Sequence, residues 1–191
     1  ESDTRTPGRL SEQASSSGGF DFVMIHRHAD LPLLPDMRSL GLTPSGIYGD
    51  RRFAEGRDLP LSADCVSRLP FALSTSADET EENRLTERLH EFGVIPTNIV
   101  GRIQFFDVII AMLDRAQAVT NLPSAMIPPD MRSRIVRLLA MHDWRLVYLR
   151  KNPAPDIDRD AIERFLLDSV LGDPAYVIIK DQAAPDLTSA G

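Results

Sequence analysis

The sequence predicts an α/β fold with a largely parallel sheet, and three observations predict it. Short runs rich in β-branched and aromatic residues alternate with helical runs of about 10 to 15 residues. Ile162, Phe165, Leu166, Ser169 and Val170 fall at the i, i+3, i+4, i+7, i+8 spacing of an amphipathic helix. Fourteen prolines punctuate the 191 residues, so elements are expected to be short and connections numerous.

In chain order, residues 1–19 are rich in Ser, Thr and Gly, with a turn at Pro7-Gly8 and a break at Gly18-Gly19. Phe20 to Ile25 reads as a buried strand. Pro32, Pro35 and Pro44 predict an irregular stretch, Ser45 to Asp50 a short strand, and 51–62 a charged loop. Leu69 to Ser74 is a strand. Ser76-Ala77-Asp78-Glu79 then forms a capping box, with Ser at the N-cap and Glu three residues on. The helix it opens places Leu85, Leu89 and Phe92 on one face and ends at Gly93. Thr97 to Val100 is a strand, and Phe105, Ile109, Met112 and Leu113 form an apolar helical face. Ala118 to Pro123, Ile135 to Leu139 and Arg145 to Leu149 are further strands. Asp158 to Leu171 is the clearest helix, stopped by Gly172. Tyr176 to Ile179 is a last short strand and 180–191 a loose tail.

Composition sets bounds on function. Hydrophobic residues make up 42% and charged residues 26%, enough for a real core. The net charge of -7, with lysine only at Lys151 and Lys180, argues against nucleic-acid binding by this segment, which needs clustered Lys and Arg. Cys65 is the only cysteine, so neither an internal disulfide nor a cysteine-based zinc site can form. No apolar run approaches the ~18 residues of a membrane helix. The polar start, Glu1 to Gly19, lacks a signal core, and a soluble cytoplasmic protein is expected.

Four constellations are candidates for chemistry. His26-Arg27-His28-Ala29-Asp30 follows the first strand, as the zinc site of a metallo-β-lactamase-like hydrolase does. Leu31 stands where that family continues with a further histidine, so a polar strand end facing a cleft or solvent is the plainer reading. Cys65 reads as a small buried hydrophobe rather than a nucleophile, since no Gly-rich turn adjoins it. Ser74-Thr75-Ser76 lies at a strand-to-helix junction, where hydroxyls and free N–H groups suit a carboxylate or polar ligand. Capping by Ser76 alone is the competing account, and Asp78, Glu79, Glu81 and Glu82 already complement the dipole there. The apolar run 108–113 reads as core. No GxSxG elbow, GxGxxG or P-loop occurs, so no catalytic residue, metal or cofactor is assigned.

The order of these pieces, from about residue 8 to 172, resembles the effector-binding domain of LysR-type transcriptional regulators. The resemblance rests on Gly19 to Ile25, on Pro60 to Leu73 with its Leu69-Pro70 turn, and on Phe92-Gly93-Val94-Ile95-Pro96. It continues through Ala118 to Pro123, Arg137-Leu138-Leu139, 145–149 and 158–171. Ala116 and Ala118 replace a Gly-x-Gly that the family places before its Leu-Pro turn, which puts that turn's conformation in doubt.

The resemblance implies a two-lobed fold like a periplasmic binding protein. The lobes would be 1–40 plus 136–179, and 41–135, with the first lobe incomplete at its N-terminus. It implies a non-catalytic sensor that binds a small-molecule inducer, assembles as a homodimer or tetramer, and contacts DNA only through a part absent from this chain. The matching cleft positions are Thr4 and Thr6, His26, Ser74, Thr75 and Ser76, and Phe105. The alternatives are a transporter's solute-binding protein and a zinc hydrolase built on His26, His28 and Asp30.

Overall fold

The computed structural model describes residues 22–33, 37–74, 79–150 and 157–178. Expectations for residues 1–21, Thr75 to Asp78 and the tail from 179 lie outside them. The chain divides into two compact units, Glu1–Thr43 with Trp144–Gly191, and Pro44–Asp143. The elements in order are β1 (Phe22–His28), β2 (Arg38–Asp50), a 3-10 turn (Arg51–Ala54), α1 (Ala63–Ser67), β3 (Phe71–Ser74) and α2 (Glu79–Glu91). They continue with β4 (Ile99–Ile103), α3 (Phe106–Asp114), β5 (Thr120–Pro123), two 3-10 turns, β6 (Ile135–Arg150), α4 (Ile157–Leu171) and β7 (Val177–Ile178).

In the first unit β1 pairs antiparallel with the second half of β6, Phe22 opposite Arg150 through His28 opposite Trp144. Strand residues alternate between faces. Val23 and Ile25 therefore share a buried apolar face with Val147, joined by Met37 and packed by Leu33 and Leu149. Helix α4 is tied to this sheet by the hydroxyl of buried Tyr148, which donates to Glu163. That contact corrects the expected apolar face of the helix. Ile162 and Phe165 point outward, Phe165 at 69% exposed, while Glu163, Leu166, Leu167 and Val170 are half-buried. A buried tyrosine needs a partner for its hydroxyl, and this sets the rotation of the helix in place of hydrophobic periodicity.

The second unit holds the larger core. Phe71, Leu73, Val66, Leu89, Val94, Ile47, Val119 and Leu138 form one buried cluster, and Tyr48, Leu113, Leu122, Ile127, Met131 and Ile135 form another. Here β2 pairs antiparallel with β5, Ser45 opposite Pro123 through Tyr48 opposite Thr120. Strands β3 and β4 run parallel, and Phe71 also bridges Val119 in parallel.

The sheet is thus not largely parallel. Among the described pairings, parallel contacts are confined to β3, β4 and residue 119, whereas β1–β6, β2–β5 and β2–β7 are antiparallel. A parallel pair requires a crossover, and α2 supplies it for β3 and β4. The long strands β2 and β6, which lie between the others in the order β1-β6-β2-β5, set the antiparallel pattern. Pro44 does not interrupt β2 because it lies where the ladder changes partner. Gly41 and Leu42 pair β7, and pairing to β5 begins at Ser45. Proline has no N–H to give to a ladder, and on the β7/β5 edge none is required of it between Leu42 and Ser45. Helix α1, within a segment not expected to be helical, is capped by Ser62, whose Oγ accepts from the Cys65 N–H at 3.2 Å.

Helices α2 and α3 end alike. After α2 the Val94 N–H donates to Leu89 O at 2.9 Å and Gly93 N–H to His90 O at 2.8 Å, with Gly93 at φ +72°. After α3 the Gln117 N–H donates to Met112 O at 2.9 Å and Ala116 N–H to Leu113 O at 3.0 Å. This double bond pattern requires a left-handed residue, and Ala116 supplies it at φ 51°. The turn therefore keeps a glycine-like shape despite its alanine. A116G is expected to stabilise the second unit by about 1 kcal/mol, the usual cost of an alanine there, seen as a raised urea midpoint.

Candidate functional site

The expected site residues fall into three groups. Thr4, Thr6, Thr75 and Ser76 lie outside the described residues. His26 lies in the first unit. Ser74 and Phe105 lie together in the second.

In the second unit, Ser74 closes β3 opposite Ile103, the last residue of β4. Phe105 follows two residues later as the residue that opens α3, extended at φ −98° and ψ 122°. Its side chain is 63% exposed and makes no cap hydrogen bond. Ser74 is also exposed, and Phe105 offers no side-chain cap to the first N–H groups of α3. The carboxyl ends of parallel strands beside a helix N-terminus are where open α/β sheets take ligands. Thr120 braces this end from beneath, its buried hydroxyl donating to Ala72 O at 2.8 Å.

In the first unit, Phe22, Met24, His26 and His28 share the face of β1 opposite its apolar core. His26 Nε2 and the Tyr176 hydroxyl share a hydrogen bond of 2.8 Å, with the rings stacked 7° from parallel. His28 packs on Trp144, ring centres 4.3 Å apart. Burial holds the His26 imidazole at a pKa of about 4, below its ordinary 6.5. Between those values the unfolded chain takes up a proton that the folded chain refuses. Stability is therefore expected to fall as pH drops through 6.5 toward 4, by about 2 kcal/mol at pH 5. Urea midpoints at pH 7 and pH 5 measure this, and H26F should remove most of the difference.

The His-x-His-x-Asp run does not assemble as a zinc set here. His26 is engaged by Tyr176, and no group of three His, Cys, Asp or Glu with metal-ligand geometry occurs among the described residues. Cys65 is half-buried against the second unit's core, and Arg57 Nη1 donates to its Sγ at 2.8 Å. Tyr176 and Trp144, which hold the two histidines, were missed by sequence reasoning. They lie more than a hundred residues away, and no periodicity connects them.

No family model matches the chain, and no curated relative does. Solved structures do. The effector domain of the transcriptional regulator AmpR of Pseudomonas aeruginosa matches at TM-score 0.53 and 13% identity, over 89% of this chain and 78% of that one. A reduced form of OxyR from N. meningitidis matches at 0.55 and 13%, over 91% and 80%. The C-terminal domain of a probable LysR family transcriptional regulator from Rhodococcus sp. RHA1 matches at 0.56 and 19%, over 84% and 80%. The chain therefore has the α/β fold of the effector-binding domains of LysR-type transcriptional regulators, as the order of its sequence elements implied.

Proposed function

We propose that this chain is the sensor part of a LysR-type transcription regulator, binding a small-molecule inducer and performing no catalysis. The observation that carries the reading is the fold shared with effector domains across about nine-tenths of the chain. The open strand end at Ser74 and Phe105 supports it. In this reading 1–40 with 136–179, and 41–135, act as the two lobes. The inducer contacts Thr4, Thr6, His26, Ser74, Thr75, Ser76 and Phe105. The protein works in the cytoplasm as a homodimer or tetramer, and DNA is held by a part outside this sequence. Binding acts by preferring one arrangement of the protein over another. The solute-binding and zinc-hydrolase readings gain nothing from the regulator neighbours.

A thermal-shift screen of small metabolites tests the reading. A ligand at a hundred times its Kd adds about 2.7 kcal/mol, so a shift of about 5 °C or more is expected. S74A and F105A should reduce that shift while leaving the ligand-free midpoint unchanged, because both side chains are exposed. A screen of broad chemistry in which nothing stabilises the chain would contradict the proposal.

A further inference from the structure

We propose that Arg27 and Arg145 form an oxyanion-binding pair in the first unit that takes a carboxylate or phosphate group. As the anchor of the inducer, the pair rests on the effector reading above. As an anion site, it stands on its own geometry.

Arg27 of β1 and Arg145 of β6 are direct cross-strand partners. Such partners share a face, with Cβ atoms about 5 Å apart, and like charges there repel. The face they share is the one on which Val23, Ile25 and Val147 are buried. Two cations at the end of an apolar surface are expected to have a carboxylate between them. These have none, because the ion pairs among the described residues involve Asp50, Asp64 and Asp114 with other arginines. Yet the chain has acidic groups in excess, 28 against 21 basic.

The hydrogen bonds of the pair are equally sparse. Arg27 Nη1 reaches only the thioether sulfur of Met37, at 3.8 Å. Arg145 Nη2 donates to the Ala29 carbonyl at 2.8 Å, which fixes its fork, but its buried Nε has no acceptor. A guanidinium carries five donors and cannot shed its charge. Buried donors of this kind are nearly always satisfied. Two adjacent forks with donors to spare match a planar or tetrahedral oxyanion that accepts from both.

Trp144, the only tryptophan, precedes Arg145 in β6 and reports on the site. The experiment titrates the 191-residue chain with sodium phosphate, and separately with sodium succinate, against sodium chloride at equal ionic strength. Trp144 fluorescence and calorimetry are the readouts. At least one anion should bind saturably, and the arm that responds identifies phosphate or carboxylate chemistry. R27Q and R145Q should each weaken binding tenfold or more, whereas R115Q, at an exposed arginine elsewhere, should not. R27Q leaves the Ala29 bond intact, so it tests the site even where R145Q disturbs the fold. Absence of saturable binding by both anions overturns the pair, as does unchanged binding in R27Q. If an uncharged metabolite still stabilises the chain, only the pair fails and the effector reading stands. Anion binding through the pair, with no metabolite stabilising the chain, keeps the site and removes the effector reading.

Discussion

F71A is expected to destabilise the second unit by about 3–5 kcal/mol, the range for a large side chain removed from a closed core. Phe71 is fully buried, at 0% exposed, and opens the short strand β3. Three connections meet there. Its N–H donates to Asn98 O at 2.8 Å, it bridges Val119 in parallel, and its ring lies in the cluster of Val66, Leu89 and Val94. Truncation opens a cavity where the parallel strands are joined, and the surrounding backbone is too fixed to close it. Domains of this kind hold about 5–15 kcal/mol in total, so the variant should unfold several degrees earlier. Urea unfolding followed by circular dichroism gives the size of the loss. A cost under 1 kcal/mol would mean that β3 is not the centre of this core.

G46A is expected to cost about 3 kcal/mol, the upper end of overpacking. A Cβ on Gly46 would lie 2.2 Å from the Leu139 carbonyl oxygen and 2.9 Å from Arg137 side-chain carbons. The arginine can move, but the carbonyl belongs to β6 and cannot without opening the strand. The result should be a lower urea midpoint together with loss of β signal. Gly93 differs in kind. A Cβ there meets only Ala63 at 3.5 Å, and its constraint is the left-handed backbone after α2.

Much of this fold is legible in the residues. β1, β3, α2 with its Gly93 stop, α3 and α4 follow from periodicity and caps, within a few residues of their observed ends. Long-range pairing is what local signals do not show. Residues 135–139 and 145–149 look like separate strands because Ala140 to Asp143 carry little strand propensity, yet pairing joins them into β6. Pro44 looks like a breaker and is harmless because its neighbours pair different strands. Ala116 shows the reverse case, where bonds to Met112 and Leu113 impose a glycine conformation on an alanine.

The candidate site was legible only in part. Ser74 drew attention as a hydroxyl at a strand-to-helix junction, whereas Phe105 read locally as part of an apolar helical face and became a candidate only through the family resemblance. Their proximity comes from the parallel register of β3 and β4. The arginine pair has no such signature. Arg27 sat inside a run read for its histidines, and Arg145 inside a strand read for its apolar residues. Only the antiparallel register of β1 and β6 places them side by side.

The measurement that tests the central proposal most directly is the sequence encoded immediately ahead of Glu1 in the source gene. The sensor reading predicts a helix-turn-helix and a linker helix there. A secretion signal in that place would contradict it and make the chain a carrier of transported solutes.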